Sequence, residues 1–375
     1  MVIGLLKEPE FEKRVALLPE AVAVLRKLNV DVLVETNAGS KAFASDADYK
    51  LSGANIASHD KVISSADVLV KISAFTSEEV PELKPNQIIM AVLNPFQNKD
   101  LVKILSEKFI TSFSLDTIPR SSRAQAMDIL SSMATVAGYK AVLDAALHLP
   151  KFFPMFMSAA GTIRPAKVLI LGAGVAGLQA IATSRKLGAV VEVFDVRAAV
   201  KEEVQSLGGK FIEVEGAKDD KTAGGYAVEQ TEEFKQKQRQ LIHDHAVKAN
   251  VVITTAQIPG KKAPVLLTKD TVENMLPGSV IIDLAASTGG NCEVTQNGKT
   301  IVHHQVTIIG KSDYPSDMPS DASKMFGNNL INFLKLMIAK DGSLNLNFDD
   351  DIVKGTCITH NNQIVNERVK QILNA

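Results

Sequence analysis

The sequence predicts an α/β protein made of two doubly wound parallel-sheet domains separated by a cleft, and three observations predict it. Short apolar runs rich in Val and Ile alternate with amphipathic helical stretches from Val2 to Phe113. The same alternation restarts at Lys167 and continues to Asp283, opened by a glycine-rich turn. The length, 375 residues, allows two or three domains and a large buried core.

In chain order, residues 2–6 (VIGLL) form a short buried strand, and Pro19-Glu20 open a helix through Leu28 because Pro fits the first helical turn. Val30–Val34 is the next strand, so the chain begins as a βαβ unit. Strands follow at Val68–Ile72, Ile88–Val92 and Phe109–Phe113, with helices around Lys61–Ser65 and Asp100–Lys108 between them. Small and apolar residues from Ala134 to Leu149 make a connecting helix that Pro150 and Pro154 end. Then come strand VLIL after Lys167, a glycine turn, a helix to Leu187, strand 190–194, helix 199–206 and strand 210–214. The polar stretch 215–240 reads as a solvated loop running into a surface helix. Strands Val251–Thr254 and Ser279–Asp283 complete the second sheet. Residues 321–339 carry helical apolar spacing, and 340–375 is a polar tail with strand-like Ile352–Val353 and Ile358. The expected division is 1–130 with 335–375 as the first domain, and 131–334 as a nucleotide-binding domain with connecting helices at both ends.

Composition narrows the function. Hydrophobic residues at 46% and charged residues at 22% exclude a disordered chain. The net charge of −1 supplies no field for collecting phosphate backbones, so no nucleic-acid partner is expected. Cys292 and Cys357 lack the spacing of a disulfide framework or a zinc knuckle. Charge arrives at Lys7, too early for a signal peptide, and the apolar stretch 168–183 is glycine-interrupted and shorter than the ~20 residues of a membrane span. A soluble, cytoplasmic chain is expected.

The strongest motif is Gly172-Ala-Gly174-Val-Ala-Gly177, between a predicted strand and a predicted helix. Its first glycine permits the tight turn, the second lets backbone approach a pyrophosphate, and the third lets helix and strand pack closely. The diphosphate then lies on the positive helix N-terminus. Asp195 ends the next strand eighteen residues after Gly177, where a carboxylate accepts from the ribose hydroxyls and repels a 2′-phosphate. This Rossmann-like unit is expected to bind NAD(H), although Arg197 stands close enough to tolerate an added phosphate.

Two further segments follow strands of the sheets. Arg120-Ser-Ser-Arg-Ala-Gln125-Ala-Met-Asp128-Ile-Leu-Ser131 either serves a nicotinamide or is a charged loop whose Asp128 or Ser131 caps a helix. Thr254-Thr-Ala-Gln257-Ile-Pro-Gly260 either faces the ligand or is a plain turn, and Asp283 is either a ligand-side carboxylate or a strand-end cap. The seven histidines form no metal-ligand spacing, so packing or surface roles are expected and no metal.

Taken in order, IGLLKEPEFEKRVALLPEAV, SRAQAMDILSS, LGAGVAGLQAIATSRKLGAVVEVFDVR, AGGYA, TTAQIPGKKAPVL and PGSVIIDLAASTGGN resemble the NAD(H)-binding alpha-subunit component of proton-translocating nicotinamide nucleotide transhydrogenases. The resemblance spans nearly the whole chain. It implies a homodimer peripheral to the inner (cytoplasmic) membrane, held there by membrane-spanning partner components. It also implies Re/Si-specific hydride transfer to NADP(H) on a separate NADP(H)-binding component, coupled to proton movement. The nicotinamide-contacting residues it implies are Arg120, Gln125, Asp128 and Ser131, with a mobile-loop Tyr226 beside Gly225. On the adenosine side it implies Val175, Asp195, Val196 and Arg197, with Gln257 in the later turn.

Alanine dehydrogenases share the opening KE…RVA pattern and the glycine turn and are the main rival, with a non-catalytic NAD-binding protein as the third reading. Lys7, Arg14 and Lys71 stand where that family binds a carboxylate substrate. Its catalytic histidine falls within AVLNPFQNKD, which reads Asn94-Pro95-Phe96, and its catalytic aspartate falls in AASTGG, which reads Ser287-Thr288. Amino-acid oxidation needs a positioned acid or base. Hydride exchange between two nicotinamides needs only close, aligned, water-free reactants.

Overall fold

The structure, a computed structural model, describes residues 1–214, 231–258 and 261–373. It divides into two compact units, Met1–Met133 with Pro315–Ala375, and Ala134–Tyr314.

The first unit is built on one sheet. Its strands lie in the order Gln363–Ile364, Cys357–His360, Thr111–Ser114, Ile88–Ala91, Val68–Val70, Val2–Leu5, Asp31–Glu35, Asn55–Ala57. The six from Thr111–Ser114 to Asn55–Ala57 are parallel, and the first strand in sequence lies inside the sheet. That is the doubly wound arrangement, in which strand order reverses beside the first strand. Val68–Val70 and Ile88–Ala91 are buried throughout, as expected of parallel strands covered on both faces. Phe109, read as strand, has φ 60° and belongs to the turn before Thr111.

The C-terminal region differs from the sequence reading. Ile352–Val353 lie in helix Asp351–Thr356, started by the Asp350 carboxylate accepting from their backbone amides. Cys357–His360, which holds Ile358, pairs antiparallel with Thr111–Ser114, so the tail extends the first sheet. Helix Pro319–Leu334, assigned by the sequence to the second domain, buries Phe326, Leu330, Phe333 and Leu334 in the same core as Val22 and Leu25. At about 1.5–3 kcal/mol per buried apolar side chain, those four anchor the helix to the first unit with on the order of 6 kcal/mol or more.

The second unit repeats the theme. Its sheet runs Lys210–Ile212, Val190–Phe194, Lys167–Leu171, Val251–Thr254, Val280–Asp283, Val306–Gly310, Lys299–His303, with only the last strand antiparallel. The reversal point falls between Lys167–Leu171 and Val251–Thr254, where ligands bind in such sheets. Helix Ile129–His148 carries the chain into this unit, and its Gly138 packs so closely that an added Cβ would lie 2.9 Å from the Ala176 carbonyl carbon. A hairpin, Phe156–Ser158 with Gly161–Ile163, is exposed along both strands. Among the described residues, no helix is long and apolar enough to cross a membrane.

Candidate dinucleotide-binding site

Strand Lys167–Leu171 delivers Gly172 to the reversal point with φ 105°, a left-handed conformation that suits glycine. The Gly172 amide donates to the Phe194 carbonyl at 2.8 Å, and the Thr255 hydroxyl donates to the Gly172 carbonyl at 3.0 Å. The turn is therefore tied to both neighbouring strands. At Gly177 a Cβ would overlap the Gly172 carbonyl, whose carbon would lie at 2.9 Å, so helix and turn close on each other without room for a side chain. Gly174 is different. It begins helix Val175–Lys186 with φ −76°, and a Cβ there would meet nothing within 4 Å among the described residues. No contact among the described residues demands a glycine at this position, which fits a place kept clear for a ligand at the helix N-terminus. Val175, first in the helix, is exposed beside it.

Asp195 lies just past strand Val190–Phe194. One carboxylate oxygen accepts from the Ala173 amide at 2.7 Å and from Arg197 Nη2 at 2.7 Å. The other accepts from the Arg197 amide at 2.8 Å and Nε at 2.9 Å. The four acceptor positions of the carboxylate are thus filled within the chain. Val196 is half-buried beside this pair.

The loop after Val251–Thr254 rests on a scaffold that the sequence reading missed. Asp283 is fully buried and accepts from Thr254 Oγ1, the amides of Ala285, Asn291 and Cys292, and Thr295 Oγ1, at 2.7–3.0 Å. Of its two readings, the strand-end cap is the one realised: its acceptor capacity is spent on the fold. Asn291, held by Asp283, in turn bonds the Ala256 amide at 3.0 Å and the Ala256 carbonyl at 2.8 Å. Gln257 Nε2 donates to the Leu284 carbonyl at 3.1 Å, and its side chain is otherwise exposed. Only the alternation of Asp283 with small residues in DLAASTGGN hinted at this support.

In the first unit, residues 122–127 form a 3-10 turn with Ala124 and Met127 buried. Asn329 and Asn332 both donate to the Ala126 carbonyl, and Arg123 forks onto Asp350 at 2.6 and 2.8 Å. Asp128 accepts from the Ser131 amide at 2.9 Å and from its hydroxyl at 2.6 Å, capping helix Ile129–His148. The structure thus brings Asp128 and Ser131 together, with Gln125 and Arg120 exposed on the same segment. Tyr226, Gly225, Pro259 and Gly260 lie outside the described residues.

The family models for the alanine dehydrogenase/PNT N-terminal and C-terminal domains match residues 4–137 and 141–367. The chain belongs to the alanine dehydrogenase/PNT family. Within it, the chain is 48% identical over 363 residues to an NAD(P) transhydrogenase subunit alpha polypeptide of Rhodospirillum rubrum, covering 94% of each. It is similar to the solved transhydrogenase of Sinorhizobium meliloti, with a TM-score of 0.89, 39% identity, and coverage of 97% of this chain and 100% of that one. The alanine dehydrogenase of Mycolicibacterium smegmatis is more distant, 28% identical over 382 residues, covering 100% of this chain and 97% of that one. This family membership carries the Rossmann-type fold and places the chain nearer the transhydrogenase alpha subunits than the alanine dehydrogenases.

Proposed function

We propose that this chain is the NAD(H)-binding component of a proton-translocating transhydrogenase. In this reading NAD(H) passes a hydride to or from NADP(H) on a partner component. The observation that carries the reading is the glycine turn ending at an uncrowded Gly174, with Asp195 closing the neighbouring strand. Gly172, Gly174 and Gly177 hold the diphosphate on the helix N-terminus, and Val175, Asp195, Val196 and Arg197 serve the adenosine side, with Asp195 on the ribose. Gln257 lines the later turn. Arg120, Gln125, Asp128 and Ser131 position the nicotinamide, and Tyr226 beside Gly225 closes over the cofactor. The nicotinamide, when bound, would donate or accept the hydride. The protein supplies position and exclusion of water, and no proton at a substrate atom has to be moved.

The same reading makes the chain peripheral to the inner membrane through membrane-spanning partner components, with Re/Si stereospecificity and proton coupling residing in the assembled complex. It also makes the chain a homodimer. The exposed hairpin supports this, because a two-stranded ribbon carrying Phe156, Met157 and Ile163 at 46%, 70% and 41% exposure presents an apolar surface suited to a partner. The direct test is hydride transfer from NADPH to an NAD analogue by the purified chain, with and without the cognate NADP(H)-binding component. Turnover in the mixture alone is expected. A chain that binds NADH yet gives no turnover in the mixture would refute the reading.

A further inference from the structure

We propose that Glu273, His303 and His304 form a binding site for a divalent transition-metal ion of the zinc class. Thirty residues separate Glu273 from His303, so no sequence spacing announces the cluster. The fold assembles it: Glu273 ends helix Lys269–Glu273, His303 ends strand Lys299–His303, and His304 begins the two-residue turn into Val306–Gly310.

The geometry suits one ion. Glu273 Oε1 lies 3.0 Å from His303 Nε2 and 3.7 Å from His304 Nε2. One ligand atom from each residue falls within 4.8 Å of the other two. Ligands about 2.1 Å from a tetrahedral zinc sit roughly 3.4 Å from one another, so small side-chain adjustments close the site. Two imidazoles and one carboxylate favour zinc-like ions over magnesium or calcium, and leave a fourth position for water.

The ligands are also presented by a constrained backbone. His304 and Gln305 have φ of 47° and 63°, the mirror-image turn that ordinarily selects Asn-Gly. Two full side chains hold it here, and the Gln305 carbonyl accepts the Gly278 amide at 2.8 Å. The two histidine rings consequently lie 4.8 Å apart between centroids. Lys269, whose ammonium lies 3.7 Å from Glu273 Oε1, is the competing cation and is more than half exposed, so it can withdraw.

The experiment is titration of the chelator-treated full chain with zinc chloride by calorimetry, with cobalt absorption as a second readout. One equivalent per chain is expected, weakened at least about tenfold in His304→Asn and in Glu273→Gln, and unchanged in His243→Gln on a neighbouring helix. Asn tolerates the left-handed conformation, and circular dichroism confirms that each variant is folded. Lys269→Ala is expected to bind at least as tightly as the parent. Absence of a stoichiometric site, affinity in either ligand variant within about threefold of the parent, or weaker binding in Lys269→Ala would overturn the proposal.

Discussion

Substituting the second and third glycines of the turn separates what the turn does for the fold from what it does for the ligand. At Gly177 a Cβ would overlap the Gly172 carbonyl and lie 2.9 Å from its carbon, both of them backbone atoms that no side-chain rotation can move aside. Gly177→Ala therefore falls at the upper end of overpacking costs, about 3 kcal/mol. For a unit of this size that corresponds to a melting temperature lower by about 6–12 °C. At Gly174 the backbone is extended, with φ −76° and ψ −172°, and a Cβ meets nothing among the described residues. Losing glycine freedom in the unfolded chain and losing a tolerable helix cap offset one another, so Gly174→Ala should alter stability by less than about 1 kcal/mol.

Binding should behave in the opposite way. The methyl group of Gly174→Ala would occupy the room through which backbone approaches the diphosphate, and NADH should bind at least about tenfold more weakly, equivalent to about 1.4 kcal/mol. Differential scanning fluorimetry and NADH fluorescence titration read the two effects separately. Parent-like NADH affinity in Gly174→Ala would show that the open space is not ligand space, and an equal loss of stability in both variants would show that the packing argument is wrong.

Other consequences can be checked independently. Asp195→Ser removes the carboxylate and frees the Arg197 guanidinium, so NADH affinity should fall by about 10- to 100-fold while NADPH gains relative to it; an unchanged ratio of the two dissociation constants would dissociate this pair from cofactor choice. His59 is partly desolvated, which lowers its pKa, but the carboxylates of Glu35 and Glu82 at 3.1 Å outweigh this and raise it above 6.5. The pairs should therefore stabilise the fold fully below about pH 6.5 and cease to do so as pH rises through the raised value, by up to about 1 kcal/mol given their exposure; urea titrations of the parent and His59→Gln should converge at high pH. If the chain is the homodimer proposed above, Met157→Asp on the exposed hairpin should shift sedimentation toward a monomer, and an unchanged sedimentation coefficient would count against the hairpin as its contact.

Much of the fold was legible because parallel strands buried on both faces are written as uninterrupted apolar runs, such as VLIL and VVITT, between helices with clear periodicity. The glycine turn was legible because its spacing between strand and helix is local, and its first and third glycines answer local steric demands. What escaped detection was one local cap and several partners distant in sequence. Ile352–Val353 look like strand, but the Asp350 cap makes them helix. Helix Pro319–Leu334 has helical spacing, yet only the burial of Phe326 and Phe333 with Val22 and Leu25 shows which unit owns it. Asp283 stands at a strand end in either reading, and its burial among five donors, four of them from the chain downstream, settles its role. Asp128 caps its helix, as local sequence allowed, and the cap neither requires nor forbids a second duty toward nicotinamide.

The two branches of the family differ in chemistry, and the first unit bears on the choice. An amino-acid dehydrogenase needs cations for a substrate carboxylate and an acid or base for the nitrogen. Here two of the three candidate cations are already matched within the chain. Arg14, half-buried, forks onto Glu12 at 2.7 and 2.9 Å. Burial alone would raise the Glu12 carboxyl, but the Arg14 hydrogen bonds hold it below the ordinary range. Lys71, 2% exposed, is held by both oxygens of Glu79 at 2.6 and 2.8 Å and lies 4.5 Å from the centre of the Phe75 ring. A substrate carboxylate would compete with Glu79 for Lys71, and the carboxylate already in place is a barrier to its binding there. Glu79→Gln lowers that barrier by removing the competing charge. It adds no proton-transfer group at Asn94-Pro95-Phe96 or Ser287-Thr288, so NADH oxidation with pyruvate and ammonia should stay at background in parent and variant alike. Turnover by either would mean that an acid or base elsewhere in the chain does the work, and the dehydrogenase reading would replace the transhydrogenase one.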